Sequence, residues 1–406
     1  MSLSRDFDVR GRVLQVGELA AWLSEHSLGN RFGLAVIGTG PGYDAQAVAL
    51  AIVAADGDGR YIDAGALTPD DQEALASWFA DPGPPKAVHD AKPALHALRG
   101  RGWTLRGVTS DTVLAAYLLR SERQSCSLND LLVRHMRCAL PSEAVQGDTP
   151  HTPHTPKGLI LQACAVLDLA DVLDEELARI DSSSLLGRLE LPAQRVLAET
   201  ESVGIAVDRR LLGQGAGELV NAIAPDGRIH AALPAGVGPD ERGAFVAGED
   251  YAELMTAHYD QLETRILAHR NGERGVLDEA REAGYASTLL GRRRYLADLG
   301  SDDAWARQSA ERAALAMAID GSAADILKVA MIDVAQVIKA AGLRSRLVLQ
   351  AADQLVFEVA SGERDGLAAY VQESMCGAYP LDVPLEVSIG CGPTWGAAAS
   401  ASHIRE

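Results

Sequence analysis

The chain has 406 residues, 47% hydrophobic and 23% charged, enough for two or three cores by the usual size of domains, of which we expect two. No apolar run approaches the roughly 20 residues that a membrane span needs, and the start Met1-Ser-Leu-Ser-Arg-Asp-Phe-Asp8 lacks the basic-then-apolar order of a secretory signal, so the expected location is the cytoplasm. The net charge of −19 disfavours tight duplex binding, because affinity for DNA comes largely from Lys and Arg neutralising phosphates.

In chain order, Phe32-Gly-Leu-Ala-Val-Ile37 and the apolar run Ala47 to Ala55 read as two strands joined by a Gly-rich turn. Asp70 to Phe79 and Pro93 to Leu98 read as helices. Ser110-Asp111-Thr112 precedes the helix-spaced run Val113 to Leu119 and supplies a capping residue. From Pro141 to Gly158 the composition turns to Pro, Thr, His and Gly, which favours an extended surface loop. His151 and His154 lie there with no fixed geometry for a metal. Leu159 to Ile180 reads as a long helix, and Leu191 to Val203 as another closed by Gly204. The five cysteines, Cys126, Cys138, Cys164, Cys376 and Cys391, form no C-x-x-C pair and suggest neither a zinc cage nor a disulfide framework.

The second half carries the motifs. Thr256-Ala-His-Tyr-Asp-Gln-Leu-Glu-Thr-Arg265, Gly284-Tyr-Ala-Ser-Thr-Leu-Leu-Gly-Arg-Arg-Arg-Tyr-Leu296, Gly321-Ser-Ala-Ala-Asp-Ile-Leu-Lys328 and Leu349-Gln-Ala-Ala-Asp-Gln-Leu-Val-Phe-Glu358 occur in that order. Together they resemble the family A DNA polymerases of the bacterial DNA polymerase I type. Phe32 to about Ile180 resembles that family's 3′-5′ exonuclease domain, and nothing resembles its 5′-nuclease domain. The resemblance implies an α+β chain in two domains: residues 1–185 as an RNase H-like exonuclease-like domain, and 186–406 as a palm of antiparallel sheet backed by helices. Only 17 residues separate Asp208 from Asp226 and only 18 separate Arg265 from Gly284, where the family carries its thumb and fingers, so both are expected to be mostly missing.

Phosphoryl transfer in this family uses two divalent ions held by carboxylates. Where the family pattern reads Asp-Tyr-Ser-Gln-Ile-Glu, this chain reads His258-Tyr-Asp-Gln-Leu-Glu263, and where it reads His-Asp-Glu, this chain reads Ala352-Asp353-Gln354. Magnesium gains little from imidazole. In the first half Gly38-Thr39-Gly40 replaces Asp-Thr-Glu, Ala94 replaces the next acid, and Asp111 is retained, either as a catalytic acid or as a helix cap. After Arg312, Ala316-Met-Ala-Ile-Asp320-Gly321 stands where the family has Asn-Ala-Pro-Met-Gln-Gly.

The resemblance therefore implies a polymerase relative that has lost templated synthesis and proofreading. We expect a repurposed scaffold that binds or transforms a small, amine-bearing molecule, in specialised metabolism or self-protection. The candidate catalytic residues are His258, Glu263, Asp353 and Gln354 in the palm, or Asp44 and Asp111 in the exonuclease-like cleft. Arg265, Asp260, His89 and Asp90 are the candidate substrate-binding residues. The alternatives are a DNA-binding accessory protein, with Arg292, Arg293, Arg294 and Arg312 on nucleic acid, or a weak residual polymerase or exonuclease. No resident metal or other cofactor is expected, magnesium entering only with residual activity. DNA binding should be weak or absent. Surfaces left bare by the short connections are expected to require a homodimer or a dedicated protein partner.

Overall fold

The computed structural model describes all residues except 1–6, 8, 28, 41, 122–124, 142–143, 145–154, 213–216, 231–236, 352 and 403–406. It divides into two compact units, Met1–Gln194 and Arg195–Glu406. His151 and His154 lie outside the described residues.

The first unit is built on a six-stranded sheet of order β1-β4-β3-β2-β5-β6, with β1 Arg10–Val13, β2 Phe32–Thr39, β3 Gln46–Val53, β4 Asp58–Asp63, β5 Lys86–Val88 and β6 Val108–Asp111. β2 pairs antiparallel with β3, and β3 with β4, whereas β5 joins β2 and β6 joins β5 in parallel. Its helices are α1 Leu19–His26, α2 Pro69–Ala80, α3 Ala91–Gly100, α4 Thr112–Leu119 and α5 Pro156–Arg179. The two strands expected at the start are present, β3 being read two residues long at its end. Helix α2 begins where its sequence dictates: Thr68 accepts a bond from Asp71 N, and Pro69 occupies the first turn. The Pro-rich stretch ends earlier than expected, because Thr155 caps α5 through Gly158 N and Pro156 opens its first turn. Phe32, Leu34, Leu50, Ile52, Trp78 and Phe79 form the core against α1 and α2.

The second unit centres on a four-stranded antiparallel sheet of order β13-β14-β10-β15. Its strands are β10 Glu253–Tyr259, β13 Arg346–Ala351, β14 Gln354–Val359 and β15 Val387–Gly392. Three short strands, β7 Ile205–Val207, β8 Arg228–Ile229 and β9 Phe245–Val246, form a second sheet, and β11 Tyr285–Ser287 pairs with β12 Arg293–Tyr295 as a hairpin. The helices are α6 Leu262–His269, α7 Gly272–Ala283, α8 Ala304–Ala340, α9 Arg364–Cys376 and α10 Trp395–Ser402. Leu254, Val356, Phe245 and Trp395 share one core, whereas the Tyr259 hydroxyl donates to Met375 O of α9 at 2.9 Å. Alternation along β10 thus directs Leu254, Thr256 and His258 to one face and Tyr259 to the other. Every residue from Leu254 to Tyr259 is buried.

Two sequence features explain the rest of this unit. Residues 266–283, where the fingers were expected to be missing, hold the end of α6 and all of α7, with Asn271 and Gly272 in consecutive left-handed conformations making the sharp reversal between them. Helix α8 runs unbroken for 37 residues through Ala316 to Gly321, since no proline interrupts its hydrogen bonds.

Candidate functional site

His258 stands near the end of the central strand, opposite Gln354 of β14 on one side and Ser388 of β15 on the other. It is 8% exposed. Its Nε2 lies 3.4 Å from Asp260 Oδ1, and Ser388 Oγ donates to the other Asp260 oxygen at 2.8 Å. Trp395 Nε1 donates to Gln354 Oε1 at 3.2 Å. Thr256, on the same face as His258, is fully buried and its hydroxyl has no hydrogen-bond partner. The expected His258, Asp260 and Gln354 are therefore assembled at one end of the sheet. Ser388 and Trp395 join them from positions more than a hundred and about forty residues along the chain, and sequence reading missed both.

Other candidates point elsewhere. Asp353 is exposed in the turn between β13 and β14, and Glu263 is exposed in the first turn of α6. Arg265 does not face a ligand: its Nε donates to Asp260 O at 2.9 Å, and its terminal nitrogens bind Pro384 O and the Glu386 carboxylate. It fastens the loop before β15. Below the strand, burial raises the Tyr259 phenol far above its ordinary range, which keeps it a neutral donor to Met375.

The arginine cluster is split by its surroundings. Arg292 is 5% exposed, and its Nε and Nη2 bind Asp325 Oδ1 at 3.1 and 2.7 Å. Thr288 donates to the other Asp325 oxygen at 2.8 Å, and Leu289 N donates to Ser322 Oγ at 2.9 Å. A Cβ on Gly321 would stand 2.9 Å from Thr288 Cγ2, so Gly321, Ser322 and Asp325 form the seat of the β11–β12 hairpin. This corrects the expected nucleic-acid role of Arg292: its buried guanidinium is turned inward onto Asp325 and is not presented to a phosphate in solvent. Arg293 lies over the Tyr285 ring, 4.8 Å from its centroid, Arg294 is half-buried on β12, and Arg312 is exposed on α8.

In the first unit, Asp111 is fully buried. One carboxylate oxygen accepts from Asp90 N, Val113 N and Leu114 N at 3.2, 2.9 and 3.4 Å, and the other from Ala91 N at 2.7 Å and Gln194 Nε2 at 2.9 Å. It caps α4 and holds the start of α3 as well. His89 Nδ1 lies 2.7 Å from Thr112 Oγ1. Asp90 reaches solvent in a left-handed conformation, yet the protein packed around it and the Asp111 carboxylate raise its carboxyl above the usual range. Asp44 is exposed on the short turn Gly42–Asp44. His89, Asp90 and Asp111 thus gather around the α3 and α4 starts. At the position of the family's first exonuclease acid, a Cβ on Gly38 would come 2.8 Å from Ala97 Cβ, so α3 occupies the space such a side chain needs.

Two metal ions require several carboxylate oxygens converging on both. In the palm an imidazole replaces the first acid and both Asp260 oxygens are engaged. Among the described residues no three His, Cys, Asp or Glu side chains come together as a metal cluster. This donor set does not fit a magnesium pair. The five cysteines form no disulfide, and among the described residues no helix is long and apolar enough to cross a membrane.

A sheet of order β4-β3-β2-β5-β6 with an added β1, followed by an antiparallel sheet whose central strand and neighbouring hairpin carry the old metal motifs, defines the exonuclease-plus-palm class of chain. Residues 42–147 match the family model described as DNA polymerase I, ribonuclease H-like domain, and residues 274–397 that described as DNA polymerase family A. Over 97% of its length the chain is 37% identical to the DNA polymerase I of Mycobacterium tuberculosis (strain ATCC 25618 / H37Rv), and over the same share 36% identical to that of Mycobacterium leprae (strain TN); it spans 65% of each of those proteins. The first alignment runs over 590 positions, so the relatives hold long insertions between segments that this chain joins directly. The chain is also similar to a solved POL domain of Pol1 from M. smegmatis, in complex with DNA primer-template and dNTP. That likeness has 41% identity and a TM-score of 0.86, covering 96% of this chain and 100% of that one. The chain belongs to the family A DNA polymerases, of the DNA polymerase I type.

Proposed function

We propose that this family A chain no longer performs templated synthesis or proofreading, and that its palm serves as a binding site for a small, amine-bearing molecule. The observation that carries the reading is His258, buried near the end of the central palm strand with its Nε2 3.4 Å from Asp260 Oδ1, where the polymerase reaction calls for a metal-binding carboxylate. A second support is steric: Gly38 cannot regain an acid without displacing α3. An imidazole beside a carboxylate is a common general acid–base pair. Asp260 and the exposed Asp353 make the surrounding potential favourable to an ammonium group. A cytoplasmic location, and a homodimer or dedicated partner over the short connections, belong to the same proposal. Light scattering tests the latter against a monomer of 42.9 kDa.

The test is native mass spectrometry of the purified chain, beside magnesium-dependent primer-extension and exonuclease assays. A retained small molecule that His258→Ala releases, with no extension and no shortening of single-stranded DNA, supports the reading. DNA binding with the steep salt dependence of phosphate contacts, and no small molecule, would replace it with the accessory-protein reading.

A further inference from the structure

Resting on the amine-binding reading of the palm, a narrower ligand class follows from how the residues flanking His258 are held. Strand β10 places His258 between Gln354 of β14 and Ser388 of β15. Directly opposed residues on neighbouring strands keep their Cβ atoms about 5 Å apart, so Gln354 stands beside the imidazole on one face of the sheet. Its amide has an accepting oxygen and a donating NH₂, and whichever end the protein engages decides what the other can offer a ligand. Trp395 Nε1 lies 3.2 Å from the Gln354 amide. An indole nitrogen only donates, so the amide oxygen must face it and the NH₂ is turned the other way. Gln354 is half-buried, and among the described residues its nitrogen has no protein partner. Trp395 itself is fixed: it is 2% exposed, with the Phe245 ring 5.5 Å away and the Arg242 guanidinium 4.7 Å from its ring centroid.

The other flank is held with the opposite polarity. Ser388 Oγ donates to Asp260 Oδ2 at 2.8 Å, Asp260 N donates to Glu386 O at 3.0 Å, and Arg265 Nε donates to Asp260 O at 2.9 Å. These bonds leave Oδ1 beside His258 Nε2, on a side chain that is still 32% exposed. One flank therefore accepts and the other donates. Of the remaining charges, Glu386 is paired with Arg265, while Arg242 and the exposed Asp353 bring opposite signs to the Gln354 end, so the group bound there need not be charged. We propose that Gln354 is a specificity-determining residue and that the palm takes a compact ammonium compound that also carries an accepting oxygen. The ammonium lies on Asp260 and the oxygen on Gln354 Nε2.

The experiment is an NMR titration of the full ¹⁵N-labelled chain with 2-methoxyethylamine and n-butylamine, two cations of equal length that differ by one ether oxygen. The Gln354 NH₂ signal is identified by its loss in Gln354→Glu. The expected result is a saturable downfield shift of that signal with 2-methoxyethylamine, and binding about threefold to tenfold tighter than that of n-butylamine, the contribution of one net hydrogen bond. Gln354→Glu keeps an oxygen for Trp395 but has no N–H to offer, so it should bind both amines with equal affinity. Equal affinities in the native chain, a Gln354 signal that does not move, or a preference that survives in Gln354→Glu would each overturn the specificity role. Those outcomes leave the amine-binding reading standing where Asp260→Asn abolishes binding of both probes; a native chain that binds neither amine overturns the two together.

Discussion

Replacing Asp111 by alanine should cost the first unit about 3 kcal/mol. The buried carboxylate accepts four backbone N–H groups and one side-chain amide. Losing one N-cap typically costs about 1 kcal/mol, and Asp111 serves the starts of both α3 and α4. Ala91 N then remains buried without an acceptor, at roughly 1–3 kcal/mol before relaxation, and the half-buried Gln194 amide loses its partner as well. These contributions share one side chain and do not add fully, which brings the total to about 3 kcal/mol. Asparagine keeps one acceptor oxygen but turns its NH₂ toward other donors, so Asp111→Asn should fall between alanine and the native chain. Urea unfolding followed by circular dichroism gives the midpoint and slope. A loss below about 1 kcal/mol in Asp111→Ala would refute the capping account and return Asp111 to the list of catalytic acids.

Three further outcomes follow from the packing. Glu358 is fully buried and binds Arg228, Arg346 and Gly248 N, so Glu358→Ala, which leaves two cations unpaired, should destabilise by about 3–5 kcal/mol in urea unfolding; a change under 1 kcal/mol would contradict the structural role. Burial lowers the Lys86 pKa to about 8, against 10.5 for the free side chain. The native state therefore releases this proton first, and stability gains from Lys86 as pH rises from about 8 to about 10.5, by up to about 3 kcal/mol. Lys86→Met should lack that rise when unfolding at pH 7.5 and pH 10 is compared with the native chain, and parallel curves would disprove the assignment. Gly38→Asp should lower the melting temperature and yield no metal-dependent shortening of single-stranded DNA, because Ala97 fills the space; a stable, active variant would refute the steric argument.

The motifs that carried the family resemblance were local, and they located the exonuclease-like half and the antiparallel palm sheet. What they left out were contacts made across the sheet or between helices. Ser388 reaches Asp260 only because β15 pairs with β10, and Gln194 reaches Asp111 from 83 residues away; no spacing in the chain announces either. Arg292 was read by its charge among neighbours, whereas its partner Asp325 lies 33 residues on, on a helix that the hairpin packs against. The cap at Asp111 was legible because capping is written in consecutive residues.

The account rests on the claim that the palm no longer supports templated synthesis, and primer extension tests it most directly. The native chain, Asp353→Ala and His258→Asp should be incubated with a primed template, all four deoxynucleoside triphosphates and magnesium. The account predicts no extension above background by any of the three, since restoring one acid supplies neither the second carboxylate cluster nor the missing fingers. Extension by the native chain that disappears in Asp353→Ala would contradict it.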